Sequence, residues 1–194
     1  MKEFIHNKVK VIEDFFTEFN EVQKLYYNRS FDFDNRITSF LTDLSNYFKN
    51  RGESSKESEV LRILNMLQTV RRGFNPFSLE KISVGKRELL WGISFNGIEN
   101  VNALLQEIYH KEKSKLEEGE DILTNLILNL FQQGVLTESI LKELNTIPKI
   151  EATWNSILAQ NGSISLVNKK LLVKLINEDI YMLIEKIILK IVNQ

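Results

Sequence analysis

Histidine occurs twice in this chain, and each time it closes the same tetrapeptide: Glu3-Phe4-Ile5-His6 and Glu107-Ile108-Tyr109-His110. Residues three apart share a helix face, so each motif can offer one metal ion a carboxylate and an imidazole. Two such motifs, completed by single glutamates from two further helices, hold di-iron centres in helical bundles. A metal-binding, di-iron-like bundle is therefore one reading. The bland alternative is two boundary histidines with incidental acids. Glu3 and His6 lie at a terminus, where helices fray, and His110 stands where an apolar stripe gives way to charge. No metal ligand and no cofactor is assigned on this pattern.

A second feature is basic. Between Arg62 and Arg87 stand six cations, with Glu80 as the single acid. Arg71, Arg72, Lys81, Lys86 and Arg87 form the candidate nucleic-acid-binding set, interleaved with Phe74 and Phe77 and followed by Trp91. Guanidinium groups fork onto phosphate oxygens, and exposed aromatic rings stack on bases. The competing reading gives the cations to a helix C-terminus, where positive charge suits the dipole, and uses Phe74 and Phe77 as core plugs. A contact with an acidic partner is the third.

A third feature is the charged run His110–Asp121, with five acids and three lysines. It lacks the alternating oxygen ligands of a calcium loop. It reads as a solvated helix or hairpin tip, or as the complement of a basic surface on a partner or second copy.

Other chemistries lack their residues. There is no cysteine, which removes disulfide scaffolds, zinc–thiolate sites and thiol nucleophiles. Gly85-Lys86-Arg87 resembles the end of a phosphate-binding loop, but Glu80 occupies the earlier glycine position and Arg87 the hydroxyl position. No dinucleotide-binding glycine pattern occurs, and a serine triad would have to borrow His6 or His110 without a nucleophile-elbow motif. Paired carboxylates are plentiful but unpatterned. No catalytic residue is assigned, and an enzyme is the less favoured class.

The elements that must position these residues read as helices. In 194 residues, 43% are apolar, 26% are charged and the formal charge is −1. That mixture suits a soluble core-forming chain and disfavours a globally basic binder. Apolar steps of three and four predict a first helix over Lys2–Asn28. A second carries Ile37, Phe40, Leu41, Leu44, Tyr47 and Phe48 behind Asp32 or Asp34. A third begins at Ser54 or Ser55 and carries Val60, Ile63, Leu64, Leu67 and Val70, with Gly52 and Gly73 as stops. Residues 74–97 are irregular and hold Pro76, Gly85, Gly92 and Gly97. They predict a modest helix over Gly85–Phe95, or a hairpin pairing Ile82–Val84 with Gly92–Ser94. Helices over Ile98–Glu118 and Asp121–Gln133 follow, separated at Gly119. Further helices open at Thr137 and near Pro148, and Gly162 ends the latter. Ser165–Asn193 predicts one helix, or two with a bend near Asn177.

The expected fold is an all-α bundle of seven to nine helices, a single domain over 1–194. Its alternative division is into sub-bundles 1–73 and 98–194 joined by the irregular 74–97. No signal-like or membrane-length apolar run occurs, so a cytoplasmic location without a membrane partner is expected; Asn, Ile, Lys and Glu usage suggests a bacterial source. In the last helix Ile180, Leu183, Ile184, Ile187, Ile188, Ile191 and Val192 cover an arc of about 180°, wider than the roughly 100° an ordinary surface helix buries. The first six of these are the candidate interface residues, to be covered by the domain itself or by another chain. The leading functional expectation is a non-enzymatic protein–protein interaction or assembly subunit of a bacterial complex, with a protein partner or a homo-oligomer. The alternatives are a nucleic-acid-associated accessory protein and the metal-binding bundle.

Overall fold

The computed structural model describes residues 4–192. The protein is all-α, with eight helices among the described residues: α1 (Ile5–Tyr27), α2 (Phe33–Asn50), α3 (Ser54–Arg71), α4 (Lys86–Gln132), α5 (Glu138–Glu143), α6 (Ile147–Gln160), α7 (Gly162–Lys174) and α8 (Asn177–Val192). No described residue belongs to a strand, and one isolated antiparallel bridge joins Phe74 to Lys81. Among the described residues no helix is long and apolar enough to cross a membrane.

Two units are distinguished by packing. The inner unit is Ile12–Ile108, and the terminal unit is Met1–Val11 with Tyr109–Gln194. The division falls inside α1 and inside α4, not at residues 74–97, which lie within the inner unit.

In the inner unit the periodic positions face inward as their spacing requires. Phe33, Ile37, Phe40, Leu41, Leu44 and Phe48 of α2 are buried, as are Val60, Ile63, Leu64, Leu67 and Val70 of α3. α2 packs along α3, and Phe19 of α1 meets Phe40 at a ring-centroid separation of 5.6 Å. From α4, Ile93, Ile98, Val101, Leu104, Leu105 and Ile108 complete the core.

The structure corrects the sequence reading of α4. Gly85–Phe95, Ile98–Glu118 and Asp121–Gln133 are not separate segments but parts of one 47-residue helix. The hairpin pairing with Gly92–Ser94 is likewise absent, because those residues are helical. Two of the supposed breaks are close-approach sites. A Cβ at Gly97 would stand 2.8 Å from Ile63 Cγ2, and one at Gly119 would stand 2.7 Å from Leu175 Cδ1 and 3.1 Å from Leu183 Cδ1. Glycine is used there for its missing side chain rather than its backbone freedom.

In the terminal unit, Leu123, Ile127 and Leu130 of α4 share a core with Leu141, Ile150, Trp154, Ile157, Leu171 and the inner face of α8. α8 packs on α5 and α6. Trp154 donates its indole N–H to Asn168 Oδ1 at 3.1 Å, so these two buried polar groups satisfy each other. The bend near Asn177 is a true break: α7 stops at Lys174 and α8 begins at Asn177.

Asp179 is fully buried and serves two helix starts at once. From the third position of α8 it reaches back to the Ile176 amide at 3.3 Å. It also accepts the first-turn amides of α1, Ile5 N at 3.2 Å and His6 N at 3.0 Å, and meets the His6 Nδ1 at 2.8 Å. These groups have no intrahelical partner, which is why a carboxylate is stabilising there. Burial alone would raise the pKa of Asp179. The His6 ring and the three amides outweigh it and hold the carboxyl below its ordinary value near 3.8.

Two predictions follow from these contacts. Gly92→Ala, in helix interior with open space around it, should stabilise by about 0.5–1 kcal/mol. Gly119→Val should destabilise by about 1–3 kcal/mol, because Leu175 and Leu183 are themselves buried and cannot swing clear. Thermal unfolding of the two variants gives the comparison. Asp179→Ala should cost about 3 kcal/mol by leaving three amides unpaired. Because the folded Asp179 pKa is depressed, its stabilising effect is present above about pH 4 and is lost as pH falls further. Unfolding measured between pH 6 and pH 3 should therefore fall less steeply in the variant than in the wild type.

Candidate functional site

The antiparallel course of α1 to α4 gathers four helix termini at one end of the inner unit. They are the end of α1, the start of α2, the end of α3 and the start of α4. Contacts confirm the gathering. Tyr26 donates to the Trp91 carbonyl at 3.3 Å, Arg71 to the Asp34 carbonyl at 2.9 Å, and Lys86 to the Arg71 carbonyl at 2.8 Å. Burial raises the Tyr26 phenol above its ordinary value, Tyr27 beside it adds to this, and the nearby Arg29 charge opposes it.

Two loops cover this end. Residues 73–82 close on themselves through Asn75 N to the Glu80 carbonyl and Ile82 N to the Gly73 carbonyl, both 2.8 Å. The other loop follows α1 and carries Arg29 and Phe31. The last residue of α1, the loop after it, residues 74–84 and the first three turns of α4 hold every exposed large hydrophobic residue described for the inner unit: Tyr27, Phe31, Phe74, Phe77, Leu79, Val84 and Phe95. Phe31 is 98% exposed, Val84 88%, Leu79 73% and Phe77 71%. Within the inner unit, such a concentration at one end marks a candidate place of contact.

The basic candidates divide. Arg71 turns inward: its guanidinium donates to Thr38 Oγ1 at 2.6 Å and to the Asp34 carbonyl, and lies 3.5 Å from the Asp34 carboxylate. Lys86 caps the carboxyl end of α3 through the Arg71 carbonyl. These two serve the helix-end role. Arg72, Lys81 and Arg87 are exposed among the apolar tips, and Phe74 and Phe77 are exposed rather than core plugs.

The C-terminal candidates stand elsewhere. Ile180, Leu183, Ile184, Ile187 and Ile188 are 0–4% exposed, and Ile191 is half-buried at the edge of the same core. Of the two covers the sequence allows for this face, the domain itself supplies one for these residues. Ile184 and Ile188 line, with Ile127 of α4 and Trp154 of α6, a void of about 10 Å³. The physical reason is that residues of α4, α5 and α6 all share a core with α8, so most of an arc twice the usual width is used, and only Val192 at its end is exposed. What α8 leaves outside is mixed, with Met182 and Leu189 among Glu185, Lys186 and Lys190.

The run His110–Asp121 is not a tip. It is the middle of α4, and its acids meet cations of its own unit. Glu112 is buried, 3.1 Å from Lys8 Nζ and 2.5 Å from Lys115 Nζ. Glu120 receives Lys186 and Lys190, each at 2.6 Å, and Glu118 pairs with Lys174. Burial pushes the Glu112 and Glu120 carboxyls up, and the lysines outweigh it and hold both below the ordinary value.

Of the metal motifs, only part can be placed. Glu3 lies outside the described residues, His6 is engaged by Asp179, and Glu107 and His110 are exposed on α4. Among the described residues no group of three or more His, Asp or Glu side chains is placed to hold a metal ion.

Sequence reasoning missed Arg29, Phe31, Leu79 and Val84. The available signal was bulky apolar residues in segments without helical or strand periodicity, where no core position exists for them.

The division of the basic set predicts opposite stabilities for neighbours. Arg71→Ala should destabilise by about 1.5–3 kcal/mol, since it strips charge-assisted bonds from Thr38 and Asp34. Arg72→Ala should stay within about 0.5 kcal/mol of wild type. Urea unfolding of the two variants measures the contrast. No family model, no curated protein and no solved structure matches the chain.

Proposed function

We propose that this chain is a non-enzymatic helical interaction subunit that docks a partner protein through the loop end of its inner unit. The observation that carries this reading is the confinement of that unit's exposed large hydrophobics to the loop end. Aromatic and aliphatic anchors on a rigid bundle end are what dominate binding energy at protein interfaces. The exposed Arg29, Arg72, Lys81 and Arg87 around them fit a partner whose apolar patch is rimmed by carboxylates. The α8 face is no longer part of the proposal, because its isoleucines are occupied by their own core.

A second reading, nucleic-acid binding, is favoured by one observation: Phe74 and Phe77 are exposed beside Arg72 and Lys81. It is weakened because Arg71 and Lys86 are engaged within the fold, and Asp32, Asp34, Glu80 and Glu88 dilute the local charge.

The test is the native mass of the protein purified from its own host, with any companion identified and reassembled from purified components. Phe31→Asp combined with Phe77→Asp should weaken that complex by about 2 kcal/mol or more, roughly thirtyfold in Kd. The unfolding midpoint should not move, since both side chains are exposed. The reading fails if the chain is alone and monomeric, or if the double variant keeps its companion. It also fails if the wild type instead binds RNA or anionic vesicles through these residues.

A further inference from the structure

Four helices in this chain end by one device. The turn residue donates its amide three residues back, and the next residue donates five residues back: Arg29 and Ser30 for α1, Gly52 and Glu53 for α2, Gly73 and Phe74 for α3, Gly134 and Val135 for α4. The device puts the turn residue in the left-handed region, with φ of 68°, 90° and 73° at the three glycines. Glycine takes that conformation freely and a residue with a Cβ does not. Arg29, at φ 52°, is the exception.

Arg29 is also the residue that borders a cleft of about 200 Å³ at the loop end. Its apolar walls are Phe31, Phe33, Leu90 and Trp91, with Phe33 and Trp91 stacked at 15° and 5.3 Å. Its charged lining is Arg29, Arg87 and Asp34, and the Asp34 carboxylate is drawn toward Arg71. Arg87 is a second local misfit, a cation in the first turn of α4, where the helix dipole is already positive. Two guanidiniums are thus held at local disadvantage on the rim of one aromatic-walled cleft. An anion in the cleft would offset the charge conflict at Arg87 and pair with the Arg29 guanidinium that the strained turn places beside it, and the apolar walls select an anion carried on an apolar body.

We infer that this cleft binds a carboxylate side chain of the partner protein, a Glu or Asp next to an apolar residue. The inference rests on the docking reading above and names the chemistry its partner must present. The cleft volume is on the scale of a single side chain, and forked guanidinium–carboxylate pairing supplies the specificity.

The test follows the two indole N–H signals of the full chain by ¹H–¹⁵N correlation spectroscopy. Trp91 lines the cleft, and Trp154 lies in the terminal unit's core as an internal reference. The probes are N-acetyl-Glu-Phe-amide, its Gln counterpart and inorganic phosphate. The Trp91 signal should shift and saturate with the Glu peptide and require about tenfold more of the Gln peptide. Arg29→Gly should weaken the Glu titration by about tenfold while leaving the unfolding midpoint unchanged or raised, which separates binding from any structural role. Arg87→Gln should weaken it similarly. The inference is overturned if the two peptides titrate alike, if Arg29→Gly binds as the wild type does, or if phosphate saturates the shift at or below the peptide concentration. Should the cleft fail while the Phe31 and Phe77 variants still release a companion, the docking reading stands without it.

Discussion

A helix end leaves amides or carbonyls without partners, and how this chain satisfies them shapes everything outside its cores. At the start of α1 the solution is remote: Asp179 arrives from α8 and takes Ile5 N and His6 N along with Ile176 N. One buried carboxylate therefore couples the first turn of α1 to the first turn of α8. At the ends of α1 to α4 the solution is local, through the paired backward hydrogen bonds at Arg29, Gly52, Gly73 and Gly134. At the end of α3 it is supplemented by Lys86 on the Arg71 carbonyl. These closures fix where each loop departs, and so which side chains it can present.

Charge is distributed by the same logic of local satisfaction. The chain is nearly neutral overall, and in the terminal unit its strongest acidic run is answered by Lys8, Lys174, Lys186 and Lys190. The buried Glu112 takes Lys8 and Lys115 together, so the cost of burying its charge is offset by two cations rather than one. The inner unit's loop end is different. Arg71 is neutralised by Asp34, but Arg29, Arg72, Lys81 and Arg87 stay at the surface among apolar tips.

Much of the fold was legible because helical spacing is a strong signal. The inward faces of α2 and α3 are the residues their three-and-four steps pick out, Thr137 caps α5, and Pro148 sits in the first turn of α6. Glycine misled at α4, because sequence shows that a side chain is missing but not whether the backbone or a neighbour requires it. Gly73 and Gly134 are turn residues, whereas Gly97 and Gly119 admit Ile63, Leu175 and Leu183. The arc of α8 left two readings open for a related reason. Its width measures how much surface must be covered, and says nothing of whether the cover is the same chain. The candidate site was only half legible. Its cations could be counted, but whether Arg71 pairs inward and Phe77 points outward depends on contacts between segments far apart in sequence.

The loop end carries more weight than its exposed area alone would warrant, because its residues conflict with local preference. A single exposed phenylalanine needs no explanation. Here Leu79 as well as Arg29 holds a positive φ, 60° against the sterics of its own Cβ, and it does so while 73% exposed. Neither residue gains a core contact in exchange. At Asn161, by contrast, local preference and packing agree, since its side chain caps α7 from the position that favours it. Conflict confined to one end of one unit is the pattern expected where a surface is shaped by something other than the stability of its own fold. That is the physical ground for placing contact with a partner there rather than on α8, where Ile180, Leu183, Ile184, Ile187 and Ile188 already have their neighbours.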